Sequence, residues 1–226
     1  DRADLLSLGS PDSRALLLLG VTGGASWLCD QHWTLLTANF LHGSVLHILF
    51  NMLWLKSLGR LSCQLFGPAR FFILFMLTGM GGFAFSVWGD PFFFALVGSP
   101  FEPIPMPPIG ASASIFGLMG VLVGHGRREG GRYGDQITRQ LLTWAIALFL
   151  LGFVMQGINN MAHLGGFISG YLLSFTLPLR GQGAPEQPVV ALALALAALT
   201  VVGIIMSFLS WSPYVFEGQI PDCLYL

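Results

Sequence analysis

Six polar side chains stand inside or at the ends of otherwise apolar stretches: His47, Asn51, Ser112, Ser114, His125 and His163. Such groups are costly in an apolar surrounding and mark function by default. Ser112 follows the proline-rich run GSPFEPIPMPPIG at residues 98–110, which cannot be helical because proline removes donors and clashes with the preceding turn. The run ends at Gly110, so Ser112 falls at the start of a helix, where free N–H groups and the positive dipole end favour a developing anion. Taken alone, Ser112 reads as a small packing residue. His163 occupies a matching place in NNMAHLGG, just inside the start of another helix. Gly166 and Gly170 follow at i+3 and i+7 on its face, and Phe116, Met119 and Gly120 share the face of Ser112. Glycines on both faces let two backbones approach closely, which would bring His163 within reach of Ser112 as base to nucleophile. Ser114 is the rival nucleophile, but two residues on is about 200° around a helix, turning it away if Ser112 faces His163.

His47 and Asn51 are spaced i, i+4 on one helix face, and both can donate hydrogen bonds, as a tetrahedral oxyanion requires. Plain interhelical hydrogen bonding is the alternative for this pair. His32 and His42 precede that helix in a loop and His125 lies at the far end of its own, so these three read as structural or exposed. No Asp or Glu occurs inside any apolar stretch, so a Ser-His-Asp triad lacks its acid. A dyad remains, with Asn159, Asn160 or packing to orient His163.

These residues need a scaffold in lipid. The chain of 226 residues is 54% hydrophobic and only 9% charged, against about 25% charged in a soluble domain. A formal net charge of −1 supplies no basic face for nucleic acid, and three cysteines make no disulfide scaffold. Apolar runs suited to spanning fall at residues 45–61, 71–88, 112–126, 141–155, 161–179 and 189–211. Lys56 and Arg60 in the first run sit where they can snorkel. The shorter run 15–28 contains Gly20, Gly23 and Gly24 and reads as an interfacial segment lying on the membrane. Lys56, Arg60, Arg70, Arg127, Arg128, Arg132, Arg139 and Arg180 gather on one side, which is therefore cytoplasmic. The reactive ends face the other side, with Cys29 and Cys223, for which a disulfide and free thiols are both open. The expected fold is an all-α polytopic membrane helix bundle of about six transmembrane helices. It divides into an outer segment at residues 1–43, a core at 44–180, and an inner linker, last span and outer tail at 181–226. The start at Asp1 reads as a processed form or a portion of a longer chain.

Three blocks carry a resemblance: HGSVLHILFNM at residues 42–52, GASA at 110–113 and AHLGG at 162–166. Together, in this order, they resemble the rhomboid intramembrane serine proteases, over residues 30–178. The resemblance implies that Ser112 is the nucleophile and His163 the base. It also implies an oxyanion hole of His47, Asn51 and the Ser112 N–H, with Phe116 packing on the His163 ring. Gly110, Gly166, Gly170 and Asn160 are the expected supporting residues. The implied activity is hydrolysis of a peptide bond in or beside the membrane helix of a single-pass protein, within the lipid bilayer, with no metal or organic cofactor. Short loops and the absence of extra domains point to a bacterial plasma membrane, with the site open to the outer side. Departures from the family pattern are the lack of an evident first helix, Thr34 after Trp33 where Arg is common, Ala113 where Gly is frequent, and Phe116 where some members carry Tyr.

Other readings fit less well. A non-catalytic rhomboid-like protein that binds transmembrane helices usually lacks the serine or the histidine, and this chain has both. A transporter or channel would continue its polar groups to the inner ends, which they do not do beyond His125. A metal site from His42, His47 and His163 has no thiolate or carboxylate ligand. There is no His-Glu-x-x-His for zinc and no intramembrane Asp pair.

Overall fold

The computed structural model describes residues 9–23, 25–97, 108–155, 158–176 and 186–218, and all of the regular structure among them is helical. Three short helices lead: α1 (Ser13–Leu19), α2 (Ala25–Leu28) and α3 (Thr34–Thr37), the last running into a 3-10 turn, Ala38–Phe40. Six long helices follow: α4 (Val45–Phe66), α5 (Pro68–Val97), α6 (Ser112–Glu129), α7 (Gly131–Val154), α8 (Asn160–Thr176) and α9 (Gln187–Glu217). Each of the six apolar stretches falls on one of them, that at 141–155 ending one residue past α7 and that at 161–179 having its last three residues outside the described ones.

Among the described residues, three helical segments are long and apolar enough to cross a membrane: Pro68–Gly89 within α5, α7 and α9. Thr34–Phe40 and α4 together make a fourth candidate, bent by 92° at their junction. The 17 residues of α8 fall short of the length, and the last turn of α6 carries Arg127, Arg128 and Glu129. The cause is position. Residues 113–124 of α6 are all buried, so this helix meets protein rather than lipid on every side and can hold small and polar residues.

The expected interfacial run 15–28 is not continuous. Gly20, at φ 90°, ends α1 in the left-handed conformation, and α2 begins only at Ala25. Helix α5 extends past the expected end at Trp88 to Val97, and most of the proline-rich run, residues 98–107, lies outside the described residues, as do residues 181–185 of the linker. Cys29 is disulfide-bonded, Cys63 is free, and Cys223 lies outside the described residues.

Helices α6 and α8 run parallel at the centre, joined through glycine. A Cβ on Gly166 would strike the Ala113 carbonyl, one on Gly170 the Gly117 carbonyl, and one on Gly120 the Phe167 carbonyl. No side chain fits between these backbones, which is how both helix starts reach the same depth.

Helix α9 braces the short leading elements. Trp33 Nε1 donates to Ser207 Oγ at 2.9 Å, the Thr37 hydroxyl donates to the Gly20 carbonyl, and Gly203 leaves room for Thr37 and Trp33. Ser207→Ala leaves the Trp33 indole N–H without its acceptor and is expected to cost about 1–3 kcal/mol, read as a fall in thermal midpoint in detergent.

Candidate active site

Ser112 is the first residue of α6 and His163 the fourth of α8, so parallel packing of the two helices sets them side by side. Ser112 Oγ lies 2.9 Å from His163 Nε2. The Phe116 ring, one turn beyond Ser112, stacks on the imidazole at 4.3 Å between centroids and 9° between planes. His163 is 7% exposed, which leaves its ring little freedom to turn.

Nothing polar completes a triad. Among the described residues His163 Nδ1 is buried without a hydrogen-bond partner. Asn159 caps α8, accepting the Ala162 N–H at 2.9 Å and donating to Ser86 Oγ at 2.7 Å. Asn160 packs against Gly152, and its Oδ1 is likewise unpartnered. Of the three orienting devices considered for His163, only packing reaches the ring.

His47 and Asn51 stand one turn apart on α4. Ser44 Oγ caps the helix by accepting the His47 N–H at 3.2 Å, and His47 Nδ1 accepts the Gly43 N–H at 3.2 Å. This reciprocal arrangement follows the logic of a capping box, with histidine in the place of Glu or Gln. It also fixes the tautomer: a neutral ring accepting at Nδ1 carries its proton on Nε2. The Asn51 side chain is buried, and its Nδ2 has no partner among the described residues. Both groups converge on Gly110, two residues before Ser112. A Cβ built there would lie 2.7 Å from His47 Nε2 and 3.4 Å from Asn51 Nδ2. Two side-chain donors thus lie against the backbone two residues before Ser112, where the first turn of α6 presents N–H groups that have no partner within the helix.

Gly110 is needed twice, for that space and for its φ of +103°. Gly110→Ala is expected to push His47 and Asn51 aside and lower kcat for a transmembrane substrate by about 10²–10³-fold, the usual cost of an oxyanion donor. An unchanged kcat in the folded variant would remove these two groups from the chemistry.

Ser114 turns away from His163. Its hydroxyl is fully buried, 2.6 Å from both Asn39 Oδ1 and the Phe75 carbonyl. His42 touches His47 edge to face at 5.0 Å, while His125 meets Phe66 at the inner end of α6. Among the described residues no cluster of three metal-ligating side chains occurs. The sequence reading missed Asn39 and the Gly43 N–H. Ser44 three residues before His47 was the available signal for the second; Asn39 gave none, because its partner is 75 residues away.

Known proteins resemble this chain over most of its length. A family model described as the Rhomboid domain matches residues 29–180. RHOMBOID-like protein 4 of Arabidopsis thaliana is 33% identical over 152 residues, 67% of this chain and 35% of that protein. Rhomboid protease GluP of Bacillus subtilis (strain 168) is 28% identical over 189 residues, 84% of this chain and 34% of that protein. Inactive RHOMBOID-like protein 8 of Arabidopsis thaliana is 32% identical over 153 residues, 65% of this chain and 40% of that protein. The chain thus spans about a third to two fifths of the length of these relatives. With the domain match covering most of its length and its helices apolar enough to span a bilayer, the chain is an integral membrane protein and belongs to the rhomboid family.

Proposed function

We propose that the protein is an intramembrane serine endopeptidase acting through a Ser112–His163 dyad. The observation that carries this reading is the 2.9 Å contact between Ser112 Oγ and His163 Nε2 at the paired starts of two central helices. His163 Nε2 takes the proton as Ser112 Oγ attacks the scissile carbonyl, and the oxyanion is met by His47 Nε2–H, Asn51 Nδ2 and the Ser112 N–H. Collapse of this intermediate breaks the C–N bond, the leaving amine takes the proton from His163, and an acyl-enzyme remains. Water, deprotonated by the same imidazole, then releases the acid and restores the serine. The substrates in this reading are single-pass membrane proteins whose helices unwind at small or helix-breaking residues near the cut. The site opens to the non-cytoplasmic side, where the chain's basic residues are fewest. Relatives from a plant and a bacterium give no preference for a bacterial plasma membrane.

The second reading is a non-catalytic protein that binds membrane helices, favoured by the relative named as inactive. The two separate in one experiment: a fluorescent fluorophosphonate on the purified protein in liposomes, with the labelled residue mapped by mass spectrometry and cleavage of a model transmembrane substrate followed in parallel. Labelling at Ser112 with cleavage supports the protease. A folded protein that neither labels nor cleaves supports the binding protein, and a label on Ser114 would overturn the dyad.

A further inference from the structure

We propose that Asn39 and Ser114 are a positioning pair that fixes the place of the Ser112 nucleophile, an inference that rests on the Ser112–His163 reading above. Two consecutive residues of the 3-10 turn after α3 hold the chain on both sides of Ser112. Upstream, the Gly110 N–H donates to the Ala38 carbonyl at 2.9 Å. Downstream, the Ser114 hydroxyl lies 2.6 Å from Asn39 Oδ1 and equally far from the Phe75 carbonyl of α5, its single proton serving one acceptor at a time. Asn39 Nδ2 reaches back to the Leu35 carbonyl at 3.4 Å. Through this one hydroxyl the start of α6 is bonded either to the turn or to α5, with the second acceptor in reach.

The cluster is buried and without slack. Ser114 is 0% and Asn39 1% exposed, and a Cβ on Gly79 would strike both side chains. Stability alone does not call for polar residues here. Replacing both partners of a buried hydrogen bond by apolar groups of like shape is nearly neutral, whereas leaving one unpaired is costly. What a hydrogen bond adds is a fixed length and direction, and the neighbouring atom whose position matters is Ser112 Oγ. A misplacement of about 1 Å at a reacting centre costs about 10²-fold in rate. The turn is itself held from the far side by the Trp33–Ser207 and Thr37–Gly20 bonds, so it is a firm reference for the nucleophile.

The test separates positioning from packing. Wild type, Asn39→Leu, Ser114→Ala and the double variant are compared in liposomes for fluorophosphonate acylation rate, kcat and KM on one transmembrane substrate, and thermal midpoint. Each single variant is expected to lose stability and about tenfold in acylation rate and kcat, with KM unchanged. The double variant should regain most of the thermal midpoint and none of the rate. Recovery of rate together with stability would overturn the proposal, as would single variants that acylate Ser112 at the wild-type rate. If Asn39→Leu does not fold, Ser114→Ala against Ser114→Cys carries the test. The thiol keeps a weak donor at that spot and should recover part of the rate, and equal rates count against the pair. A wild type that does not label, or labels elsewhere than Ser112, overturns the dyad itself, a result distinct from failure of the pair.

Discussion

Ser112→Ala and His163→Ala are each expected to lower kcat/KM on a transmembrane substrate by at least about 10⁴-fold, and the double variant no further than the worse single one. Nucleophile and base act as a unit: without the imidazole the hydroxyl is not activated, and without the hydroxyl the imidazole has nothing to deprotonate. The residual rate should be that of the oxyanion donors and substrate binding alone. Ser112→Ala removes one hydroxyl from a partly buried residue and should leave the thermal midpoint near wild type. His163→Ala also removes the ring stacked on Phe116 and should lower it by a few degrees. Additive losses in the double variant, or a His163→Ala enzyme within tenfold of wild type, would mean that the two groups are not working on the same proton.

Gly170→Leu is expected to prevent a stable fold, and Gly166→Ala to yield a folded protein with at least about a hundredfold less activity. The Cβ positions of both residues fall on α6 backbone carbonyls, which cannot move aside as a flexible side chain would. Over-packing a tight core costs about 1–3 kcal/mol for small additions, and a leucine in place of Gly170 exceeds any room the pair offers. At Gly166 the extra methyl meets the Ala113 carbonyl, adjacent to Ser112, so α8 must shift where the 2.9 Å contact is made. Loss of alignment at that scale costs about 10²-fold. Leu172 on α8, 58% exposed, is the control: its replacement by alanine should leave rate and thermal midpoint almost unchanged. A Gly166→Ala enzyme as fast as this control would show that the helices have slack at the site.

The serine, the histidine and the helices that carry them were legible because their signals are local. A proline run stops before Ser112, glycines recur at helical spacing after His163, and His47 and Asn51 are one turn apart on a single helix. The uninterrupted apolar stretches marked all six long helices, since hydropathy is a property of the segment itself. What stayed hidden depends on distant partners. Asn39 reads as an unremarkable loop residue until Ser114 is brought to it, and Ser207 as one polar residue in an apolar helix until Trp33 arrives. Asn160 was expected beside His163 because it is close in sequence, but its position turns it toward Gly152 of α7. The run 15–28 reads as one segment because glycine has no side chain to break an apolar pattern, although Gly20 breaks the helix itself through its backbone angle.

The orphan Nδ1 of His163 bears on how such a protein is made. A carboxylate at that nitrogen would have to enter the bilayer on its helix before any partner had folded around it, and an Asp at a helix centre adds about 2.5–3.5 kcal/mol to insertion. Helix α8 has no charged residue, and α6 has none before Arg127, so neither reactive group brings a fixed charge into the membrane with it. Their reactive atoms sit on separate helices with the whole of α7 synthesised between them. A nascent chain therefore holds a plain hydroxyl and a plain imidazole, and the Ser112–His163 contact forms only once α6 and α8 have packed together.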